Sequence, residues 1–406
     1  MYGFWFDLPD NPTGSSATAD ICPPGVKLGS FNNNVAHTSG RYGLRIFPKH
    51  IPRAYPCLDV WEEPAQGSAN PEDKAFEKNP PQPAEYTNFL GFKNKRSAII
   101  TEQIGAVQFK NIKTADNIEE GIEISLPGFA KLDQGFLDGA LIVGFSDNMG
   151  DDPSVYQITK GITTGQRDSF NYRNIKFVDF KLEGNDQIGA IGTCSHCRLS
   201  LDADGFVNTH RIEAVTFKNV NAKILYHKLK KTIIYNPDGT IVGKEGAFYL
   251  ASYLPHLQDN AGSCEVDSSL DNSVVCSKPI RKLVFKGVQP TTEISGQEIK
   301  IIRKSDMPSA GQDWTDEMRA KYSVLLPNLR LAGQWEVPFL MGQEYHIHWL
   351  EELDWTEMTL KRSRLYSVDD GYYMLYFNHT DRRDIFTVKG RAEITNSTIP
   401  GQSKMD

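Results

Sequence analysis

The chain has 406 residues, 39% of them apolar and 11% aromatic, with 33 Gly, 22 Pro and a net charge of −7. That length suits a solenoid or two domains, and the Gly, Pro and aromatic content favours short strands over helices. The acidic balance and the lack of a basic run argue against a nucleic-acid partner, and no apolar stretch reaches the roughly 20 residues of a membrane-spanning helix.

In chain order, Met1–Asp7 lacks the basic and long apolar regions of a secretory signal. The stretch from Glu62 to Ala84, rich in Pro, Glu, Asn and Lys, reads as a solvated loop. A degenerate motif then recurs: apolar, any, Phe, any, and Asn, Asp or Gly. Its copies are Leu90–Asn94, Val107–Asn111, Val143–Asp147, Ile175–Asp179, Val215–Asn219 and Leu283–Gly287. Apolar residues two apart point to one side of a strand, and Asn or Asp just after it tolerates a tight, left-handed corner. Uneven spacing between copies requires loops of differing length between rungs. The expected fold is therefore all-β: a right-handed parallel β-helix over residues 1–295. A large antiparallel sandwich is the competing arrangement. After residue 296 the texture changes. Glu298–Arg303, Trp335–Leu340, Tyr345–Trp349, Met358–Lys361 and Tyr372–Phe377 read as antiparallel strands of a small β-domain over residues 296–406. One helix is expected, Trp314–Tyr322, with Thr315 as N-cap.

Six cysteines, Cys22, Cys57, Cys194, Cys197, Cys264 and Cys276, are compatible with three disulfides in an oxidising compartment. Cys264 with Cys276 closes a loop of about a dozen residues, stabilising on the order of 3 kcal/mol; Cys22 with Cys57 is the remaining pairing. Cys194-Ser-His-Cys197 has metal-ligand spacing, with His196 and His210 as possible helpers, but a closed zinc site needs more ligands than one such pair. Sequons at Asn378 and Asn396 are candidate glycan acceptors. Acidic turns at Asp147–Asp152, Asp202 with Asp204, and Asp238 are of the oxygen-rich kind that holds calcium, or are ordinary turn chemistry. No cofactor signature is complete. His346 and His348 share one face of a strand and are expected to serve structure.

Several stretches look familiar together: Gly3–Phe6, Pro12–Gly14, Leu28–Asn33, Ala36-His37, Arg41–Ile46, Asn236–Thr240 with Gly246–Tyr249, Ile301–Pro308 and Tyr345–Trp349. In that order they resemble the β-helix region of fibrocystin-like ectodomains, in a wider group with cell-migration-inducing hyaluronan-binding protein and transmembrane protein 2. Arg41–Phe47, the Cys194/Cys197 pair and the His-Ile-His-Trp strand lean toward the fibrocystin-L branch. The resemblance implies a right-handed β-helix in an extracellular or cell-surface setting. It also implies that the chain is a segment of a longer protein whose upstream G8 domain and membrane attachment lie elsewhere.

Chemical signatures for nucleophile elbows, phosphate loops and dinucleotide binding are missing. Glycan cleavage needs two carboxylates about 5 to 10 Å apart, and Asp116, Glu123, Asp147, Asp179 and Asp202 are candidates; no catalytic residue carries over from the resemblance. Asn32, His37, Arg41 and Arg45 form the densest polar cluster near an aromatic motif. They are candidate glycan contacts, or a ladder of corner residues. The expected role is a non-enzymatic ectodomain that binds glycan or extracellular protein or assembles a coat, with homophilic assembly through open β-helix ends. The alternative is a hyaluronan-type polysaccharide depolymerase.

Overall fold

The computed structural model describes residues 1–58, 78–128, 130, 133–149, 160–165, 170–181, 188–193, 207–226, 231–250, 263–270, 273–278, 280–286, 298–303, 315, 323–325, 334–340, 345–349, 357–361, 374–378 and 385–389. Strand β1 (Phe4–Asp7) leads in. The next two rungs hold β2 (Phe31–Asn32), β3 (Val35–His37) and β4 (Leu44–His50), then β5 (Ala84–Thr87), β6 (Leu90–Phe92) and β7 (Ile99–Ile104). Longer strands follow: β8 (Val107–Ala115) with β9 (Glu120–Leu126), β10 (Phe136–Val143) with β11 (Lys160–Thr163), and β12 (Asn171–Phe180) with β13 (Gly189–Gly192). Last come β14 (Val207–Val220), β15 (Ala222–Leu225) and β16 (Lys231–Asp238). One sheet runs β1-β4-β7-β9-β11-β13-β15 and another β2-β5-β8-β10-β12-β14-β16, and every pairing in both is parallel. The described chain is thus all-β, with parallel sheets consistent with a β-helix.

The interior is built by register. In the first sheet Leu44, Ile99, Ile122, Ile162, Ile191 and Ile224 are successive partners, and each is fully buried. In the second, Phe31, Tyr86, Phe109, Leu137, Tyr172 and Ile212 form the equivalent column. Each such side chain contributes roughly 1.5–3 kcal/mol by leaving water, and β-branched and aromatic residues fit the pleated surface.

Corners keep these columns inside. Along β8, Val107 and Phe109 face in, Asn111 turns at φ 55°, and Ile112 and Thr114 then face in. A residue in the left-handed region shifts the in-out alternation by one, so the apolar stripe stays internal around the bend. Asn33, Asn88, Asn111, Gly139, Asn174 and Ala214 all have positive φ and stack in one column. A second column contains Thr38, Lys93, Asp116, Asp179 and Asn219. The expected Asn/Asp corner is therefore real at Asn111, Asp179 and Asn219. In the first motif copy the left-handed residue is Lys93. Asn94 is instead buried, its Nδ2 donating to Asn117 Oδ1 at 2.8 Å.

Parallel pairing ends at β16, which folds back antiparallel onto β17 (Glu245–Leu250) through Asp238-Gly239, the glycine at φ 67°. β18 (Cys264–Asp267) and β19 (Ser273–Cys276) continue antiparallel, and Cys264 and Cys276 are register partners joined by a disulfide. Cys22 and Cys57 form a second disulfide. β20 (Ile280–Lys286) pairs antiparallel with Gln334–Leu340 and Glu357–Lys361. That corrects one expectation: the motif copy Leu283–Gly287 is not a rung of the parallel sheets. A short apolar-x-Phe run fits any half-buried strand, so the motif does not encode pairing direction. Strand Tyr345–Trp349 pairs antiparallel with Glu298–Arg303 and Ile385–Lys389, as its texture suggested. Cys194, Cys197, Asp202, Asp204, Asn396, residues 62–77 of the expected loop, and the helix expected at Trp314–Tyr322 apart from Thr315 lie outside the described residues.

Candidate functional site

Parity on the first sheet places one column on the side opposite the isoleucines across β1, β4, β7, β9 and β11: Trp5, Arg45, Ile100, Glu123 and Thr163; Trp5 is open to solvent, whereas Ile100, Glu123 and Thr163 are buried. Tyr2, Tyr42 and Ser97, just before β1, β4 and β7, and Glu120, the first residue of β9, lie beside this column. Two chemically distinct patches result.

The first is an aromatic–arginine platform. Tyr2 packs on Trp5 with ring centroids 4.9 Å apart and stacks on Tyr42 at 6.0 Å. The Arg45 guanidinium lies over the Phe47, Tyr2 and Tyr42 rings at 4.3, 5.5 and 5.9 Å, within cation–π range. It donates to the Tyr2 hydroxyl at 2.9 Å and meets Glu102 at 3.5 Å. Arg41 donates to the same hydroxyl at 3.3 Å. Burial alone would raise the Tyr2 phenol, but the two arginines outweigh it and hold the group below the usual tyrosine range. Trp5 is 49% exposed, whereas Tyr42 beneath is buried.

The second patch is acidic. Fully buried Ser97 places its hydroxyl 3.0 Å from Oε2 of Glu120 and 3.4 Å from Oε2 of Glu123, so the two carboxylate oxygens lie no farther apart than the sum of those distances. Burial raises Glu120 first, followed by the Glu123 charge; Lys160 and Ser97 pull the other way, and the group stands at about 7. Arg96 joins the patches: it donates to the Tyr42 hydroxyl at 3.1 Å and lies 3.8 Å from Glu119.

Of the expected glycan contacts, Arg41 and Arg45 meet at Tyr2. Asn32 and His37 bond within the corners instead. Asn32 Oδ1 accepts from Thr87 Oγ1 at 3.0 Å and Asn88 Nδ2 at 2.8 Å, and His37 stacks on Phe92 at 4.9 Å. Among the candidate acids, Asp116 accepts from Ser146 through nitrogen and hydroxyl at 2.7 and 2.6 Å, and Asp179 accepts from Asn219. Asp147 is exposed on a turn. Only Glu123 has a second carboxylate beside it among the described residues. Asp238 accepts from Ala214, Thr240 and Asn236; these bonds outweigh burial and hold it below the ordinary aspartate value. Among the described residues no three ligating side chains gather as a metal site. Sequence reading missed Tyr2, Arg96, Glu119 and Glu120 as site residues. A strand-parity reading of Phe4-Trp5-Phe6, with Trp outward, was the one signal available.

No protein-family model matches the chain. It is similar to fibrocystin-L of Mus musculus, 22% identical over 398 residues, and to fibrocystin-L of Homo sapiens, 23% identical over 396 residues. Both alignments cover 95% of this chain and 8% of the relative, so the chain spans a small part of the length of the proteins it matches. It is a fibrocystin-L-like region, and the similarity and the two disulfides are consistent with an extracellular-type domain.

Proposed function

We propose that this region is a right-handed β-helix of an extracellular surface protein, and that it acts as a non-enzymatic binding module that holds a glycan across Tyr2, Trp5, Arg41 and Arg45. The observation carrying this reading is Trp5: a large ring half open to solvent, braced by Tyr2, with the Arg45 fork beside it and Arg41 on the Tyr2 hydroxyl. Trp, Tyr and Arg are the residues that dominate binding hot spots. A flat ring can pack on a sugar face while guanidinium N–H groups donate to hydroxyls or carboxylates. The antiparallel strands after residue 296 form a separate small unit in this reading, to which β20 contributes a strand. Asn378 and Asn396 are the glycosylation acceptors, and coat assembly through the open sheet ends is the alternative use of the same scaffold. The test is retention of the protein on a glycan array, compared with Trp5→Ala. Retention that drops at least tenfold in the variant supports the platform; equal retention overturns it.

A second reading, a polysaccharide depolymerase, draws on one observation, the Glu120–Glu123 pair on a shared serine, although burial of Ser97 and Glu123 closes that pair to a polymer chain in this structure. Size-defined hyaluronan incubated with the protein, with and without calcium, separates the two. Shortened chains would establish cleavage and overturn the binding-only reading; unchanged chains would exclude it for this region.

A further inference from the structure

Ser97 gives a count of protons. A serine hydroxyl has one hydrogen to donate and lone pairs with which to accept. Its oxygen is within bonding distance of one carboxylate oxygen from each of Glu120 and Glu123. It can donate to only one of them. Toward the other it can only accept, and a carboxyl group has a hydrogen to offer only when protonated. Both contacts are therefore full hydrogen bonds only when the pair carries one proton. Two carboxylates this close in a shielded place also repel when both are charged, which favours the same state. We propose that Glu120 and Glu123 share one proton through Ser97, and that its gain and loss regulates the aromatic–arginine platform beside it.

The route is a chain of contacts. Among the described residues, the groups facing the pair include Glu119, Lys160, the Tyr42 hydroxyl and Arg96, which bonds Tyr42 and feels the Glu123 charge. Burial raises the Tyr42 phenol, Arg96 lowers it by its hydrogen bond, and the Glu123 charge raises it again, so the phenol senses both sides. Tyr42 is in turn the ring on which Tyr2 stacks and over which Arg45 lies. When the shared proton leaves, a second full negative charge develops next to the Arg96–Tyr42 bond. Arg96 is drawn toward the acids, the bond weakens, and the support under Tyr2 loosens. The platform is then firmer at pH 6 than at pH 8. This consequence for ligand binding rests on the glycan-platform reading; the shared proton does not.

The experiment is a pH titration by NMR of protein labelled with carbon-13 at the glutamate carboxyls. Tyr2 and Tyr42 ring signals are followed in the same samples and assigned with Tyr2→Phe and Tyr42→Phe. The expected result is one carboxyl titrating between pH 6 and pH 8, lost in Glu120→Gln, with both rings moving at the same midpoint. Glutamates that all titrate below pH 6 would overturn the shared proton. A titrating carboxyl with unmoved rings would overturn the regulatory link. Glycan retention measured at pH 6 and pH 8 completes the test. Wild type is expected to bind several-fold better at the lower pH and Glu120→Gln equally at both. Moving rings with no retention at either pH sustains the switch and overturns the glycan reading alone.

Discussion

The two faces of strands β4, β7 and β9 follow different rules. Inward, Leu44, Ile99 and Ile122 repeat one choice of residue at one register position, all fully buried. On the opposite side, where Ile100 and Glu123 are also buried, the adjacent column changes identity at every step, from Arg45 to Ile100 to Glu123. The interior asks the same thing of each rung: apolar volume with a β-branched or aromatic shape. The outer face asks for something different at each rung, because its partners arrive from distant turns. Tyr2 reaches Arg45 across 43 residues and Ser97 reaches Glu123 across 26. Interiors are therefore written locally and sites are written between rungs.

The largest effects should come from the inside. Phe177 is fully buried, stacked on Phe217 at 5.5 Å and edge-on to Phe180 at 6.2 Å. Phe177→Ala should cost about 3–5 kcal/mol in urea unfolding, and a cost under about 1 kcal/mol would break the comparison. Next is acid. His50 is buried, hydrogen-bonded to Tyr86 at 3.1 Å and to the Val26 carbonyl at 3.3 Å. Burial lowers it to about 4, against the Val26 bond, which raises it. Between its folded value and the ordinary value near 6.5 the unfolded chain binds the extra proton. Its contribution is thus complete above pH 6.5 and falls as pH drops toward 4, by roughly 3 kcal/mol. Glu120 runs the opposite way: its raised value favours the fold at low pH, and that advantage is lost as pH rises through about 7. Relative to wild type, His50→Gln should flatten the fall between pH 6.5 and 4, whereas Glu120→Gln should be more stable above pH 7 than below pH 5. Unfolding curves across that range check both signs.

How much could be read beforehand follows the same division. All-β character, short strands and Asn/Asp corners were legible, because period-two apolar runs and turn residues act within a few positions. Both described disulfides were legible too. The isoleucine column was not seen, because Ile99, Ile122, Ile162 and Ile191 are separated by irregular intervals and only register makes them neighbours. Leu283–Gly287 was misread as a rung because its local pattern is the same in an antiparallel strand. At the platform, Arg41 and Arg45 were found by polar density. Asn32 and His37, close in sequence, end strands just before the left-handed corners at Asn33 and Thr38, which redirect the chain. Glu120 stayed hidden beside Glu123 because both lie on β9, where strand parity alone would put residues three apart on opposite sides.

Corners allow a smaller and reciprocal test. Ala214 occupies the left-handed column at φ 50°, where neighbouring rungs use Asn or Gly. Ala214→Gly should relieve that strain and raise stability by about 0.5–1 kcal/mol, net of the freedom that glycine gains in the unfolded chain. Gly139 is its counterpart at φ 74°, and an added Cβ would stand 2.9 Å from Asn111 Oδ1. Gly139→Ala should therefore destabilise by roughly 1–2 kcal/mol. Equal signs for the two changes would mean that corner conformation is not what these positions select.

The smallest change in stability should come from Trp5, and that is what makes it informative. Its ring is half exposed, on the sheet's first strand, and its loss opens no cavity in the isoleucine or aromatic columns. Trp5→Ala should leave the unfolding free energy within about 0.5 kcal/mol of wild type. Arg45→Ala should cost more, near 1 kcal/mol, because it also removes packing over Phe47 and Tyr2. If Trp5 were there for the fold, its removal would resemble that of Phe177 on a reduced scale, and stability and glycan retention would fall together. If it is there for a ligand, retention falls while stability stays, and the outer face is separated from the inner one by experiment as well as by register.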